Sequence, residues 1–541
     1  MASLPLIVPD FPDYGGVHIG PNPNERNHLS PGSADMSRSH GARQRRTSAR
    51  RISGSEMLDN LERFSRRTLS VSSHSQDIHN EVMAALMEDG EEEDDDEDDN
   101  FLPDVVTRGI TPTIQEERDS EHAISNTETI IHILKGNIGI GVLTLPIAIR
   151  NSGLIFGNIG LALIAYMCVH CMKMLVHAAH KACAKRPNAV FLDYADTAEA
   201  AFSDAGGNWT KCAPMMRKVV NLFLCLSQVG SNAVYVLFIA QNIQPIVEHY
   251  GGEFFETLNY RYYILAILPF MIAICMIKNL RYLSPFSVIA NIFQFVGLGI
   301  IFFYIFREHL PDSSSVPWVA QSNRLPLFFG TAIFAIEGIS VVLPIENQMK
   351  RPKDMLGWNG VLNTAMGMVG ILYVAMGFYG FLKYGEHIES SITLNLPPGD
   401  VLAQICLLLF SLSIFFSYAL QFYVLMEILG PNVIRPRVPQ RWFVLSEYST
   451  RIIINVITFA LAATVPWLDL VVSLLGAVKM STLAIMAPAL IDTASHWNGG
   501  RGCMNWRLIK NGFIFLIGFF GCIMGTWVSV LNIVENFKNG H

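Results

Sequence analysis

Two short runs of glycine and polar residues interrupt otherwise apolar stretches of this 541-residue chain. The first is Gly136-Asn137-Ile138-Gly139-Ile140-Gly141, inside a stretch over about 129–149. The second is Glu337-Gly338-Ile339-Ser340, inside a stretch over about 325–348. Glycine releases the backbone from helical geometry. In lipid the released N–H and C=O groups find no water, so they persist only where they line a protected cavity. Paired interruptions at matching positions of two halves of a chain point to a solute-binding site. The alternative for either run alone is close helix packing through small residues.

The chemistry of the two runs is complementary. Where the first unwinds, the helix that resumes begins with free N–H groups, and these together with the helix dipole favour an anion. Gly136, Asn137, Gly139, Ile140 and Gly141 are therefore a candidate carboxylate site. The carbonyls of Phe334 and Ala335, just before Glu337 and Gly338, suit an ammonium group. A carboxylate site beside an ammonium site describes an α-amino acid, or equally another small zwitterion.

Ionisable side chains within apolar spans are expensive and point to function. His132 lies seven residues before Gly139 on the same helical face. It titrates near neutral pH, as a proton-coupling group must; the alternative is a packed, interfacial histidine. Glu337 is either a second proton acceptor, a bracket for the unwound segment, or both. Lys135 is placed to snorkel toward the membrane surface. Glu346 is read as part of an inner gate with the basic loop that follows it, and Glu427 as interfacial. Gln228, Ser231, Asn232 and Tyr235 share one helical face, and a second polar face carries Ser413, Ser417, Tyr418 and Gln421. Asn232 and Tyr235 are candidate pathway residues, with helix–helix hydrogen bonding as the alternative. Cys168, His170, Cys171, His177 and His180 cluster in sequence, but their spacing fits no standard metal site. No metal or other cofactor is expected. No phosphate-binding glycine loop and no catalytic triad accompanies these residues, so ATP-driven and enzymatic chemistry lack support.

The elements that must position these groups are apolar spans. The chain is 51% hydrophobic and 16% charged, against about 25% charged in a typical soluble protein. Eleven stretches are long enough to cross a bilayer: 128–150, 154–178, 218–247, 261–277, 283–306, 326–348, 359–382, 401–427, 450–466, 468–491 and 511–534. Spans 1 and 6 carry the interruptions and run in opposite directions, the relation expected of inverted repeats 1–5 and 6–10 with span 11 added. The loops on one side hold eighteen Lys and Arg and those on the other hold six. The basic side is expected to face the cytosol, which places the N-terminus inside and the C-terminus outside or luminal. Phe191-Leu192-Asp193-Tyr194-Ala195-Asp196-Thr197-Ala198, in the 2–3 loop, has helical spacing and reads as a short helix on the membrane surface.

Residues 1–125 differ from the rest. Residues 1–127 carry 25 Asp and Glu against 12 Arg, with an acidic run from Glu91 to Asp99, whereas the remainder is net basic. Such a composition buries little and is expected to be disordered. Residues 1–30 contain no apolar core behind a basic start, so the tail is expected to stay cytosolic ahead of an eleven-helix domain over 126–541. Arg50-Arg51-Ile52-Ser53 and Arg66-Arg67-Thr68-Leu69-Ser70 make Ser53 and Ser70 candidate phosphorylation sites.

Several ordered motifs resemble the proton-coupled (proton-assisted) amino acid transporters, within the wider amino acid/auxin permease group. They are Ile131-His132-Ile133-Leu134-Lys135-Gly136-Asn137-Ile138-Gly139-Ile140-Gly141, Leu327 to Phe334 with Glu337-Gly338 and Val342 to Asn347, Ser391 to Pro397, and Tyr418 to Val424. The resemblance covers about residues 125–535. It implies an all-α, LeuT-like five-plus-five inverted-repeat fold with broken helices 1 and 6, and proton-driven symport of small neutral amino acids such as glycine, alanine and proline across the lysosomal or plasma membrane. It also implies that the histidine at position 132 couples protons. Outer-loop cysteines of mammalian members have no counterpart here, and Ile140 stands where a threonine is often found. The alternatives are an amino acid sensor that signals through the tail to a cytosolic partner with little flux, and sodium coupling with Ser413 and Ser417 as part of an oxygen cage. No nucleic-acid partner is expected; the bilayer is.

Overall fold

The computed structural model describes residues 123–186, 191–252, 255, 258–278, 280–498 and 505–539. The disorder expected for 1–125, apart from its last three residues, and the candidate phosphorylation sites Ser53 and Ser70 lie outside the described residues. Within them the fold is helical throughout, with no strand beyond one isolated bridge.

Span 1 is two helices, α1 (Asn126–Asn137) and α2 (Ile140–Ser152), bent by 56° at the first glycine run. Ser125 caps α1, accepting from the Glu128 N–H while Glu128 accepts from the Ser125 backbone, which satisfies donors that a helix start otherwise leaves open. Ile138 and Gly139 are extended, and no side chain caps α2. Then follow α3 (Leu154–Ala184), α4 (Tyr194–Asp204), α5 (Asn208–Gly251), α6 (Tyr260–Cys275) and α7 (Leu280–Arg307). The second interruption separates α8 (Leu325–Ala335) from α9 (Ile339–Glu346) at Ile336, Glu337 and Gly338. The remaining helices are α10 (Val361–Tyr384), α11 (Val401–Leu429), α12 (Phe443–Thr464), α13 (Leu468–Leu475), α14 (Ala487–Ser495) and α15 (Trp506–Lys538), with an eleven-residue π-helical segment, Gly476–Met486, joining α13 to α14.

Among the described residues nine helices are long and apolar enough to cross a membrane, or ten if the bent pair α1/α2 counts as one; α6, at sixteen residues, is shorter. The broken spans are central: every residue of α2 except Arg150 is buried. By contrast, α15 exposes Phe513, Phe520, Ile523, Trp527 and Leu531, an apolar outer face suited to lipid. The short helix read in the 2–3 loop is α4. Its buried residues, including Tyr194, Ala195, Thr197 and Ala198, pack against α5 and α14, and the Tyr194 hydroxyl donates to the Leu483 carbonyl at 2.5 Å. Its apolar side is thus covered by protein rather than lying open to a lipid surface.

Two local devices fix the geometry around the interruptions. On one face, Ile124 N–H donates to the Gln348 carbonyl (2.9 Å) and Lys350 N–H to the Ile124 carbonyl (3.0 Å), so the segment entering α1 is stitched to the segment leaving α9. Deeper in, α8 and the start of the π segment meet backbone to backbone. A Cβ on Gly476 would lie 1.8 Å from the Gly330 carbonyl oxygen, and one on Gly330 would lie 2.3 Å from that of Ser473. Gly476→Val therefore has to push two helix backbones apart. It is expected to cost about 3 kcal/mol or more, read as a lowered Tm and loss of the monodisperse peak when detergent-solubilised protein is heated and chromatographed; an unchanged Tm would contradict this packing.

Candidate functional site

The two interruptions lie against one another. A Cβ on Gly141, in the first turn of α2, would sit 2.5 Å from the Ala335 Cα at the end of α8. One on Gly338 would sit 2.6 Å from Asn137 Oδ1, and one on Gly136 would meet the Val341 side chain at 3.0 Å. At these three positions glycine permits close approach. Gly139 differs: nothing lies within 4 Å of the position its Cβ would take. Its φ of −152° is extended backbone open to any residue, so the space beside it, not strain, is its distinguishing feature.

Tyr373 of α10 closes the junction. Its hydroxyl contacts the Ala335 carbonyl at 2.7 Å and the Asn137 carbonyl as well. The hydroxyl carries one proton, which the two carbonyls share. Asn137 Nδ2 donates to the Ile133 carbonyl at 2.8 Å, while its Oδ1 is buried without a partner. Of the carbonyls expected to face an ammonium group, that of Ala335 is thus engaged by Tyr373. The Asn137 Oδ1, missed at the sequence level as a separate acceptor, is an additional polar atom at the same place.

Glu337 sits in the second interruption and is held by two elements. Ser231 of α5 donates to Glu337 Oε1 at 2.8 Å, and Lys479 Nζ of the π segment donates to the same oxygen at 2.9 Å. Lys479 also donates to the Ser231 hydroxyl, approaches the Ser227 carbonyl at 3.5 Å, and lies 4.8 Å from the centroid of the Phe334 ring. The lysine side chain is 2% exposed and the glutamate 18%. Sequence reasoning missed Lys479. The signal was present, as a single cation inside the apolar stretch 468–491.

The polar faces read from the sequence meet in the interior. Gln228, Ser231, Asn232 and Tyr235 are all buried, and Gln421 Nε2 donates to the Tyr235 hydroxyl at 3.5 Å. Both amide atoms of Asn232 are buried without a partner, an arrangement that polar groups adopt rarely unless a ligand or water completes them. The Ser413 hydroxyl donates to the Ala290 carbonyl (2.8 Å) and that of Ser417 to the Ser413 carbonyl (3.0 Å). Each of these hydroxyls bonds to helix backbone.

His132 and Lys135 are half-buried on α1, and His132 is not brought into contact with Glu337. Glu346 is buried and pairs with His180 Nε2 of α3 at 3.0 Å. His170 accepts from Lys510 of α15 at 3.0 Å, so His170 and His180 of that sequence cluster are drawn to separate partners. Glu427 accepts from Tyr423 at 2.6 Å. At the far end of α2, on the face opposite the Ile124 stitch, a cleft of about 490 Å³ is lined by Ile147, Arg150, Gln241, Glu389, Trp467 and Asp469, among others.

Residues 122–531 match the family described as "Transmembrane amino acid transporter protein". The chain is 36% identical over 425 residues to the "Proton-coupled amino acid transporter-like protein pathetic" of Drosophila melanogaster, covering 78% of this chain and 88% of that one. It is 27% identical over 430 residues to "Amino acid transporter AVT3C" of Arabidopsis thaliana, covering 76% and 91%. Among solved structures it is similar to Mhp1 in an inward-facing conformation (TM-score 0.47, 12% identity, 82% of this chain and 95% of that one) and to MhsT in complex with L-phenylalanine (TM-score 0.43, 14% identity, 76% and 99%).

Two substitutions separate space from support at this junction. Gly139→Val places a branched side chain in unoccupied space, so the protein is expected to fold normally and to lose the thermal stabilisation that an added small zwitterion such as alanine gives the wild type. Tyr373→Phe leaves two buried carbonyls without their donor and is expected to lower the stability of the ligand-free protein by about 1–3 kcal/mol. Thermal unfolding with and without alanine reads both; an unchanged alanine-induced shift in Gly139→Val would make the first interruption a packing feature.

Proposed function

Because the chain belongs to the transmembrane amino acid transporter family, an integral membrane family of transporters rather than enzymes, we propose that it carries small neutral amino acids of the glycine, alanine and proline type together with protons across the lysosomal or plasma membrane. The observation that carries this reading is the face-to-face packing of the two interruptions, with an uncapped helix start at Gly139–Gly141, an unpartnered Asn137 Oδ1 beside Gly338, and open space at Gly139. In this reading the N–H groups at the start of α2 receive the substrate carboxylate. The Phe334 carbonyl and Asn137 Oδ1 receive the ammonium group, and Asn232 and Tyr235 line the space beyond. Counting α6 as a span gives eleven, arranged as a LeuT-like five-plus-five inverted repeat with the N-terminus cytosolic. The cleft at the far end of α2 is then the approach from the luminal or extracellular side.

Proton coupling is supported by the similarity to the Drosophila relative, which is named as a proton-coupled amino acid transporter-like protein. His132 is the pH-responsive group in this reading. Glu337, fixed by Ser231 and Lys479, brackets the second interruption. The coupling ion is the proton alone, and no further cofactor takes part.

The deciding measurement is uptake of labelled glycine, alanine, proline and leucine into proteoliposomes under separately imposed pH and sodium gradients. Accumulation driven by the pH gradient without sodium is expected; accumulation driven only by sodium would overturn the coupling assignment. In the same assay His132→Ala should abolish the acid stimulation of uptake while substrate binding remains measurable. Glu337→Gln should depress binding and transport together at every pH. If His132→Ala keeps the wild-type pH profile while Glu337→Gln loses its pH dependence but still binds, the two roles are exchanged.

A further inference from the structure

Lys479 and Glu337 are 142 residues apart in the sequence and meet at the second interruption. The ammonium is almost completely buried, and its partners are one carboxylate oxygen, the Ser231 hydroxyl, the Ser227 carbonyl and the Phe334 ring. The carboxylate is not sealed in the same way: its side chain keeps 18% exposure. It adjoins Gly338, which touches the unpartnered Asn137 Oδ1 of the first interruption. Tyr235 and Tyr373 also lie within reach of the Glu337 charge. Lys135, the nearest charge along α1, is half-buried and bonds to neither member of the pair.

A charge away from water is tolerated only when it is paired. The pair therefore leaves the interruptions with formal charges that cancel, and a ligand entering this space adds its own net charge to zero. A zwitterion adds none. A ligand with a further ammonium or carboxylate adds one unit, while the two charges of the pair are already engaged with each other. We propose that the Lys479–Glu337 pair is the charge filter of the substrate cavity, restricting it to substrates of zero net charge, with Lys479 the residue that sets this specificity.

The proposal rests on the transport reading above, and exchange assays separate the two. The full chain is reconstituted in proteoliposomes preloaded with unlabelled alanine, lysine or aspartate, and entry of the same labelled amino acid is followed at matched pH. The wild type should exchange alanine in preference to lysine and aspartate. Lys479→Gln leaves the carboxylate alone, so the lysine-to-alanine uptake ratio should rise about tenfold or more. Glu337→Gln leaves the ammonium alone, so the aspartate-to-alanine ratio should rise comparably. The double variant Glu337→Gln/Lys479→Met removes both charges, and both ratios should return toward the wild-type values even at a lower rate. A folded Lys479→Gln protein with wild-type ratios would overturn the filter, as would a double variant that keeps an altered ratio. Should Lys479→Gln not fold, Glu337→Gln decides the matter in the same way. If the wild type exchanges none of the three amino acids, the transport reading falls and the filter with it. If it exchanges alanine and the variant ratios do not move, the filter alone falls.

Discussion

A helix that stops inside a bilayer leaves backbone groups that lipid cannot satisfy, and the architecture of this protein follows from having two such stops. Each stop shelters the other. The end of α1 contacts Gly338 through Asn137, the start of α2 contacts the end of α8 through Gly141, and the Tyr373 hydroxyl reaches the carbonyls of both. The broken spans consequently occupy the centre. The helices with the most apolar exposed surface, α12 and α15, stand outside them.

The second constraint is electrostatic and is set by close packing some distance away. Gly330 and Gly476 let α8 and the π segment approach until their backbones touch. Lys479 follows Gly476 by three residues, so that contact delivers its ammonium to Phe334 and Glu337. π-helical turns recur at functional positions because they rotate side chains out of the regular register. Here the wide segment spans Gly476–Met486 and carries the only lysine of the stretch. A buried ion pair of this kind contributes little net stability, since desolvation offsets most of the attraction. Its value lies in fixing where the charges stand.

Much of this was legible in the sequence. Three glycines and Asn137 marked the first interruption and Glu337 with Gly338 the second, because helix-breaking, polar and charged residues stand out against hydrophobic neighbours. The polar face Gln228, Ser231, Asn232 and Tyr235 was visible from its spacing, and all four side chains are buried where that spacing placed them. Lys479 was not recognised because hydropathy averages one cation away over a long apolar stretch, and its partner is 142 residues distant. Tyr373 lies among Gly, Met, Phe and Leu and looks like any amphipathic aromatic; only the fold shows that its hydroxyl meets two helix ends. The π segment has no sequence mark of its own. Sequence could indicate that α4 was a helix but not that α5 and α14 would cover it, since burial depends on elements far along the chain.

The stitch at Ile124 gives the molecule an unusual mechanical linkage. α1 and α9 are half-helices from different spans, yet two backbone hydrogen bonds, Ile124 to Gln348 and Lys350 to Ile124, join their outer ends, and Asn126 adds a third bond to Asp354. On that face the two half-helices form one lever. They swing together or the stitch unzips, at roughly 1 kcal/mol for each backbone bond exchanged for water.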